Sequence, residues 1–328
     1  MRVKDENTDS GGTVALPGLT GRSAFRTRLR RLDIKASPYL YITPFFVLFG
    51  VFGLFPLLYT GWVSLTSREL LGGGHYVGLD NFHKLLFHDP YFWNAVKNTL
   101  AIGAISAVPQ LLLALVLAHV LNTKMRVRTF FRMSLILPQV TSLVAVALIF
   151  KQLFSYNFGL FNYALGLIGI HRIYWEAGTY TSWIAISVMI MWRWTGYNAL
   201  IYLAAMQGIP DDLYEAAAID GARPWRQFVH VTIPMLRPTI IFTVILSTIG
   251  SLQLFTEPYL FQPNIQSGST GGSARQYETI VMYMYEKSFG STQYKLGYAA
   301  AIGWCLFMLI VIIGLINFML ARRIRSAE

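Results

Sequence analysis

The sequence predicts an all-α membrane protein with six transmembrane helices. Three observations carry that reading. Hydrophobic residues make up 54% of the 328 and charged residues only 13%, with a mean hydropathy of +0.46, whereas a soluble domain carries about 25% charged residues. Six stretches reach the length of about 20 mainly apolar residues that a spanning helix needs. The 27 Lys and Arg fall unevenly on alternate connections.

Residues 1–36 are polar and end in a basic run containing Arg22, Arg26, Arg28, Arg30, Arg31 and Lys35. They predict a basic tail whose cations suit anionic membrane lipid. No short apolar core with a small-residue cleavage site precedes the first span, so no cleaved signal peptide is expected. The spans are expected at 41–65, 98–121, 134–154, 182–206, 239–261 and 296–320. Most lack strand-like alternation, and a lone barrel strand would be only about 10 residues long.

Lys and Arg number 18 over the N-terminal tail, the 2–3 and 4–5 connections and the C-terminal end, against 8 on the opposite connections. Arg193 lies inside span four. The excess marks both termini as cytoplasmic. Because the charge is spread over loops with no compact recognition motif, it does not indicate nucleic acid. The single cysteine, Cys305, excludes an intrachain disulfide and a cysteine-cluster metal site.

The first outer connection, 66–97, carries Phe82, Leu85 and Leu86 at helical spacing, as in an amphipathic surface helix. The last contains the Gly/Ser-rich segment 264–276, which reads as a mobile loop. Asp89 and Glu286 read as outer-loop carboxylates without acid/base pairing. Pro109 and Gln110 in span two mark a kink or an interhelical bond.

Segment 209–238, IPDDLYEAAAIDGARPWRQFVHVTIPMLRP, leaves the membrane between spans four and five. Asp211 or Asp212 is expected to cap a helix. Gly221 fits its C-terminal stop, where a positive φ is easy. Pro224 can open a second helix, and Pro234 is expected to break the chain ahead of span five. Ala216, Ala217, Ala218 and Gly221 leave a thin helix that suits a groove on another protein. Glu215 and Asp220 could meet basic groups at its rim. An ordinary surface hairpin with Ala chosen for helix propensity is the alternative.

This segment resembles the EAA signature of permease subunits of bacterial ABC importers. The signature reads Glu-Ala-Ala, three residues, Gly, nine residues, Ile, one residue, Leu-Pro. The chain has Glu215-Ala216-Ala217, Gly221, Val231 and Ile233-Pro234 at those spacings. Its two departures are aliphatic exchanges. GLDNF at 78–82, DPYFWNAVKNT at 89–99, FFR at 130–132, WRWTGYN at 192–198 and FTEPYLF at 255–261 extend the resemblance to the maltose-type, oligosaccharide subfamily.

The resemblance implies a type I importer permease fold with a cytoplasmic coupling helix. It implies a second homologous permease subunit, two cytoplasmic ATPase subunits holding ATP and Mg, and an extracellular substrate-binding protein. Glu215, Ala216, Ala217, Asp220 and Gly221 would be the coupling residues. The chain has no GxxxxGK[ST] loop, so the ATPase is expected on a separate polypeptide and this chain is not an enzyme. The implied organisation is a tail (1–36), a first span with its outer loop (37–97), a five-helix permease core (98–321) and a C-terminal tail (322–328). FTEPYLF resembles permeases for disaccharides such as lactose or cellobiose, with trehalose, maltose-like sugars and glycerophosphodiesters also open.

A charge within a span is a functional-site hypothesis by default. Arg193, with Trp194, Tyr197 and Asn198 on span four and Ser251, Gln253 and Glu257 on span five, forms the candidate substrate path. Aromatic rings stack on sugar faces, and amides or guanidinium bond hydroxyls. Helical spacing puts 193 with 197 and 194 with 198, and leaves Trp192 elsewhere. Arg193 could instead pair structurally with Glu257, and the Trp residues could serve packing alone. The six His are scattered, no metal site is expected, and no catalytic triad is present. A secondary transporter or channel would need paired intramembrane carboxylates, and a membrane-embedded enzyme would need clustered acid, base or metal ligands.

Overall fold

The computed structural model describes residues 37–69, 72–123, 128–261, 270–290 and 295–325. The chain forms two units, Met1–Tyr59 and Thr60–Glu328. The N-terminal tail and residues 326–328 lie outside the described residues, as do Lys124 and Arg126 of the 2–3 connection.

The described part of the first unit is the start of helix α1, Ser37–Ser64. It exposes Phe45, Phe49, Phe52 and Phe55 and takes a π-helical turn at Gly50–Leu54.

The second unit is built on two long helices, α3 (Pro90–Asn122) and α7 (Thr179–Met206). Asp89 caps α3, accepting from the backbone N–H of Tyr91 and Phe92, with Pro90 at the first position. The sequence of α3 separates two faces. Ile102, Ser106, Gln110, Ala114 and Ala118 recur every four residues and are buried, while Val108, Leu112, Val116 and Val120 recur likewise and are exposed. The buried stripe is small or polar and the outer one large and aliphatic. Packing in lipid favours this arrangement, because close approach and interhelical hydrogen bonds hold helices together there. Tyr202 on α7, bonded at 2.6 Å to Thr243 of α10 (Arg237–Leu252), is one such link.

Around this pair, α2 (Asp80–Phe87) is the expected amphipathic helix, with Leu85 buried. The Asn81 amide donates to the carbonyls of Ser64 and Thr66, satisfying the end of α1. The short helices α6 (Leu160–Leu167) and α12 (Ile280–Tyr285) precede α7 and the last helix, α13 (Leu296–Arg325).

Two expected spans are not single helices. Residues 134–154 divide into α4 (Arg128–Val140) and α5 (Leu143–Leu153), which meet at 95°. Pro138 and the extended Ser142 interrupt the helix there. Residues 239–261 divide into α10 and α11 (Thr256–Phe261), with Gln253–Phe255 unwound between them. The freed Leu254 carbonyl accepts from Thr279 Oγ1 at 2.6 Å. Non-helical backbone is tolerated in a membrane where protein surrounds it in this way. Helices α1, α3 and α13 are each long and apolar enough to span, and two bent pairs, α4–α5 and α9–α10, pass together. Here α9 is Pro224–Met235, joined to α10 at 70°. At 28 residues α7 is long enough but more polar. By length and composition the described residues hold three spanning helices, or five with each bent pair taken as one, short of the six expected.

The outer segment expected to be mobile is built otherwise in its described half. Residues 264–269 lie outside the described residues, but Thr270 to Gln276 pack against the bundle. Gly271, at φ +80°, brings its backbone so close to Glu278 that a Cβ would lie 2.3 Å from the Glu278 Cα. Arg275 donates to both Glu278 oxygens at 2.8 and 2.9 Å and to Glu286 at 2.6 Å. Its guanidinium lies 4.8 Å over the Tyr91 ring. The Asn94 and Asn98 amides donate to the Arg275 carbonyl, tying the loop to α3. Glu286 is thus ion-paired, and Asp89 accepts from the hydroxyls of Tyr283 and Tyr298. Composition alone hid this cluster because its glycines serve close approach rather than flexibility.

Burial, opposed by the Thr270 bond and by Arg275, pushes the Glu278 carboxyl up to about 7. The packed loop therefore keeps a proton that the unfolded chain has released, and its stability is expected to fall as pH rises from 4.5 to about 7. Glu286 is held below its ordinary value: burial opposes its charge, but Arg275 and the Thr270 N–H outweigh it. Its contribution has the opposite sign and is lost only as pH falls below the ordinary carboxylate range. Hydrogen exchange of segment 270–286 at pH 5 and pH 7.5 checks the window. Faster exchange at the higher pH, beyond the intrinsic rate, is expected and should flatten in Glu278→Gln.

Candidate functional site

The segment between α7 and α10 forms the expected helical hairpin. Helix α8, Asp211–Ile219, has Asp211 and Asp212 in its first turn, where they favour its positive end. Neither caps it; Pro210 occupies the N-cap position and makes no side-chain bond. The C-terminus is a Schellman turn. Ala222 N–H donates to the Ala217 carbonyl at 2.9 Å and Gly221 N–H to that of Ala218 at 3.0 Å, with Gly221 at φ +74°. Pro224 opens α9, as the sequence indicates. The helix continues through Pro234, and the bend falls one residue after Met235, at Leu236. A π-helical turn at Phe228–Thr232 lies just before Pro234, whose missing N–H makes a wider turn inexpensive.

No residue of α8 is buried. Its link to the bundle is Tyr214, whose hydroxyl bonds Thr232 Oγ1 at 3.0 Å. Glu215, Ala216 and Asp220 are open to solvent and Ala217 partly so. Ile219 is 87% exposed, and Trp225 is exposed beside it in sequence. Large apolar side chains thus stand exposed on this hairpin.

The second candidate lies inside the bundle. A cavity of about 450 Å³ opens where span five is broken. Trp194, Tyr197 and Asn198 line it from α7, Gln110 and Ser106 from α3, and Ser251, Gln253 and Glu257 from the broken helix. The rings of Trp194 and Tyr197 stand edge to face, 5.9 Å apart. Asn198 donates to the Trp194 carbonyl at 3.3 Å and Ser251 to that of Thr248 at 2.8 Å, which fixes both side chains. Arg193 does not line the cavity. Its Nη1 lies 3.8 Å from Glu257 Oε1, and Nε is buried without a hydrogen-bond partner among the described residues. Thus Tyr197 reaches the cavity with Trp194 and Asn198, whereas Arg193 turns to Glu257. Trp192 packs on Phe150 instead, 5.5 Å away. Among the described residues there is no group of three or more His, Cys, Asp or Glu able to hold a metal ion.

Residues 110–326 match the family described as binding-protein-dependent transport system inner membrane component. The chain belongs to that family. It is 38% identical to the lactose transport system permease protein LacF of Rhizobium radiobacter, over 92% of this chain and 98% of LacF. It is 34% identical to the arabinooligosaccharides transport system permease protein AraP of Bacillus subtilis, over 88% and 89% of the two chains. A solved chain from a bacterial ABC transporter involved in the import of the acidic polysaccharide alginate superimposes with a TM-score of 0.76. That match covers 90% of this chain and 99% of the solved one at 24% identity, and it shows a common fold.

Sequence reasoning missed part of both surfaces of this transport component. Ser106, Gln110 and Thr256 line the cavity, yet a single polar residue in an apolar run reads as interhelical glue. Ile219 and Trp225 read as ordinary apolar residues of the hairpin. The available signal was position, since both stand in a polar segment outside the spans.

Proposed function

We propose that the chain is the transmembrane permease subunit of an ATP-driven importer of a di- or oligosaccharide, acting with a second permease. The observation that carries this reading is the cavity at the broken helix. It combines three aromatic rings, Trp194, Tyr197 and Phe255, with the amides of Gln110, Asn198 and Gln253, the composition that suits a sugar's apolar faces and hydroxyls. The names of LacF and AraP support the sugar class.

In this reading both termini are cytoplasmic, and α8 docks, through Glu215, Ala216, Ala217, Asp220 and Gly221, into a cleft of one of two ATPase subunits. Those subunits bind ATP and Mg; this chain supplies no catalytic residue. An extracellular binding protein delivers sugar. Closure of the ATPase dimer moves the coupling helices and opens the cavity outward; hydrolysis returns it inward. Glu257 is the one carboxylate among the described residues lining the cavity, and Arg193 attends it, which suits a sugar path better than a proton relay.

Reconstitution of the two permeases, the ATPase and the binding protein into liposomes tests this. ATP-dependent uptake of a disaccharide is expected. Uptake driven by an ion gradient without ATP would instead establish a secondary transporter. In the same particles an impermeant thiol reagent should reach a cysteine at Ser269 from the binding-protein side and one at Ser10 only from the opposite side.

A further inference from the structure

We propose that Glu257 makes the cavity selective for uncharged sugars, and that Arg193 is the positioning residue that sets its carboxylate; this rests on the sugar-permease reading above. Among the described residues lining the cavity, Glu257 is the only charged group. No Lys, Arg or His contributes to the lining. At 3.8 Å, Arg193 is beyond hydrogen-bond reach of Glu257, yet close enough to hold it as a charge. The carboxylate therefore keeps acceptor sites for a ligand while the guanidinium stays outside the lining.

Sugar hydroxyls donate to an ionised carboxylate in short, charge-assisted bonds. Gln110, Asn198 and Gln253 add amide partners, and Trp194 and Tyr197 offer ring faces. A uronate brings a second negative charge into the same poorly solvated space. With no cation in the lining to meet it, like charges repel more strongly than they would in water. The lining thus discriminates by charge, whatever the binding protein selects beforehand.

The test uses the assembled importer in nanodiscs, without nucleotide or binding protein. Trp194 emission is titrated with lactose, cellobiose, maltose and trehalose, and with the same disaccharides carrying one C6 carboxylate. A Trp194→Phe complex supplies the background. The neutral sugar that binds is expected to exceed its uronate by about tenfold or more in affinity, since like charges brought together in a buried site disfavour binding. Glu257→Gln should bring the two within about threefold, by removing that repulsion. Arg193→Gln should weaken the neutral sugar, and Arg193→Lys should restore it. Equal binding of both classes to the wild type overturns the proposal, as does an unchanged ratio in Glu257→Gln. Absence of any sugar-dependent signal, together with no ATP-driven sugar uptake by the complete system, would overturn the sugar-permease reading itself.

Discussion

Gly221→Val is expected to abolish uptake and to strip the ATPase from the purified permease pair, whereas Gly221→Asn should retain most of both. The backbone at Gly221 is left-handed, and among the described residues nothing beyond its immediate chain neighbours lies within 4 Å of where a Cβ would sit. A valine there meets no clash inside the chain and carries only the backbone cost, about 1–2 kcal/mol, more for a β-branched side chain. The hairpin relieves that strain by opening the Schellman turn that aims α8. The bundle should be untouched, because α8 buries no residue of its own. A loss of about 1.4 kcal/mol in docking is already tenfold in affinity. Asparagine tolerates the left-handed region and is the control. Glu215→Lys reverses an exposed charge on the same surface and should act in the same direction. Co-purification of the ATPase beside transport measures the effect. Full transport with normal ATPase retention in Gly221→Val and Glu215→Lys would reduce the segment to an ordinary surface hairpin.

Arg275→Ala should have the largest effect on stability. Glu278 is fully buried and Glu286 nearly so, and Arg275 is the cation between them. Without it the two carboxylates share a site lacking their principal donor. Breaking a buried ion pair by removing one partner typically costs about 3–5 kcal/mol. Arg275→Lys keeps the charge but not the fork that reaches both Glu278 oxygens and Glu286 together, and should fall between. Thermal unfolding of the detergent-purified complex and protease sensitivity near residue 270 give the measurement. If Arg275→Ala does not accumulate, adding Glu278→Gln and Glu286→Gln removes the orphaned charges and should recover it. A melting temperature for Arg275→Ala equal to wild type would contradict this account of the loop.

The sequence revealed helices better than it revealed their interruptions. An apolar run sums over twenty residues, so 239–261 reads as one span although Gln253–Phe255 unwinds. What holds that break open is Thr279, in a different part of the chain, and no local pattern announces it. The bend after Val140 had a local cause in Pro138, but proline in a span is compatible with a mere kink. The EAA hairpin was the most legible segment. Gly221 and Pro224 act through their own backbone limits, and those do not depend on tertiary context. Capping by Asp211 or Asp212 was misassigned because Pro210 carries the helix start without a side-chain bond. Trp194 and Asn198 were assignable to one face by spacing. Arg193 was conspicuous as a charge, but its distance from the cavity depends on where Glu257 stands across the bundle.

The unwound turn at Gln253–Phe255 has a mechanical consequence. Leu254 is held by Thr279, and the next residue, Ile280, donates its N–H to Thr99 on α3. Thr279 also caps the short helix Ile280–Tyr285 through Met282 N–H, and the Arg275 ion pairs brace the loop just ahead of it. The lip of the cavity and the loop are thereby joined by this bond and by the Phe255–Tyr285 and Phe261–Tyr277 ring contacts, with little slack between them. A push on the loop is delivered to the cavity's edge over this short set of contacts, as through a rigid linkage. For the lip to move apart from the loop, the Thr279 bond and these ring contacts must part together.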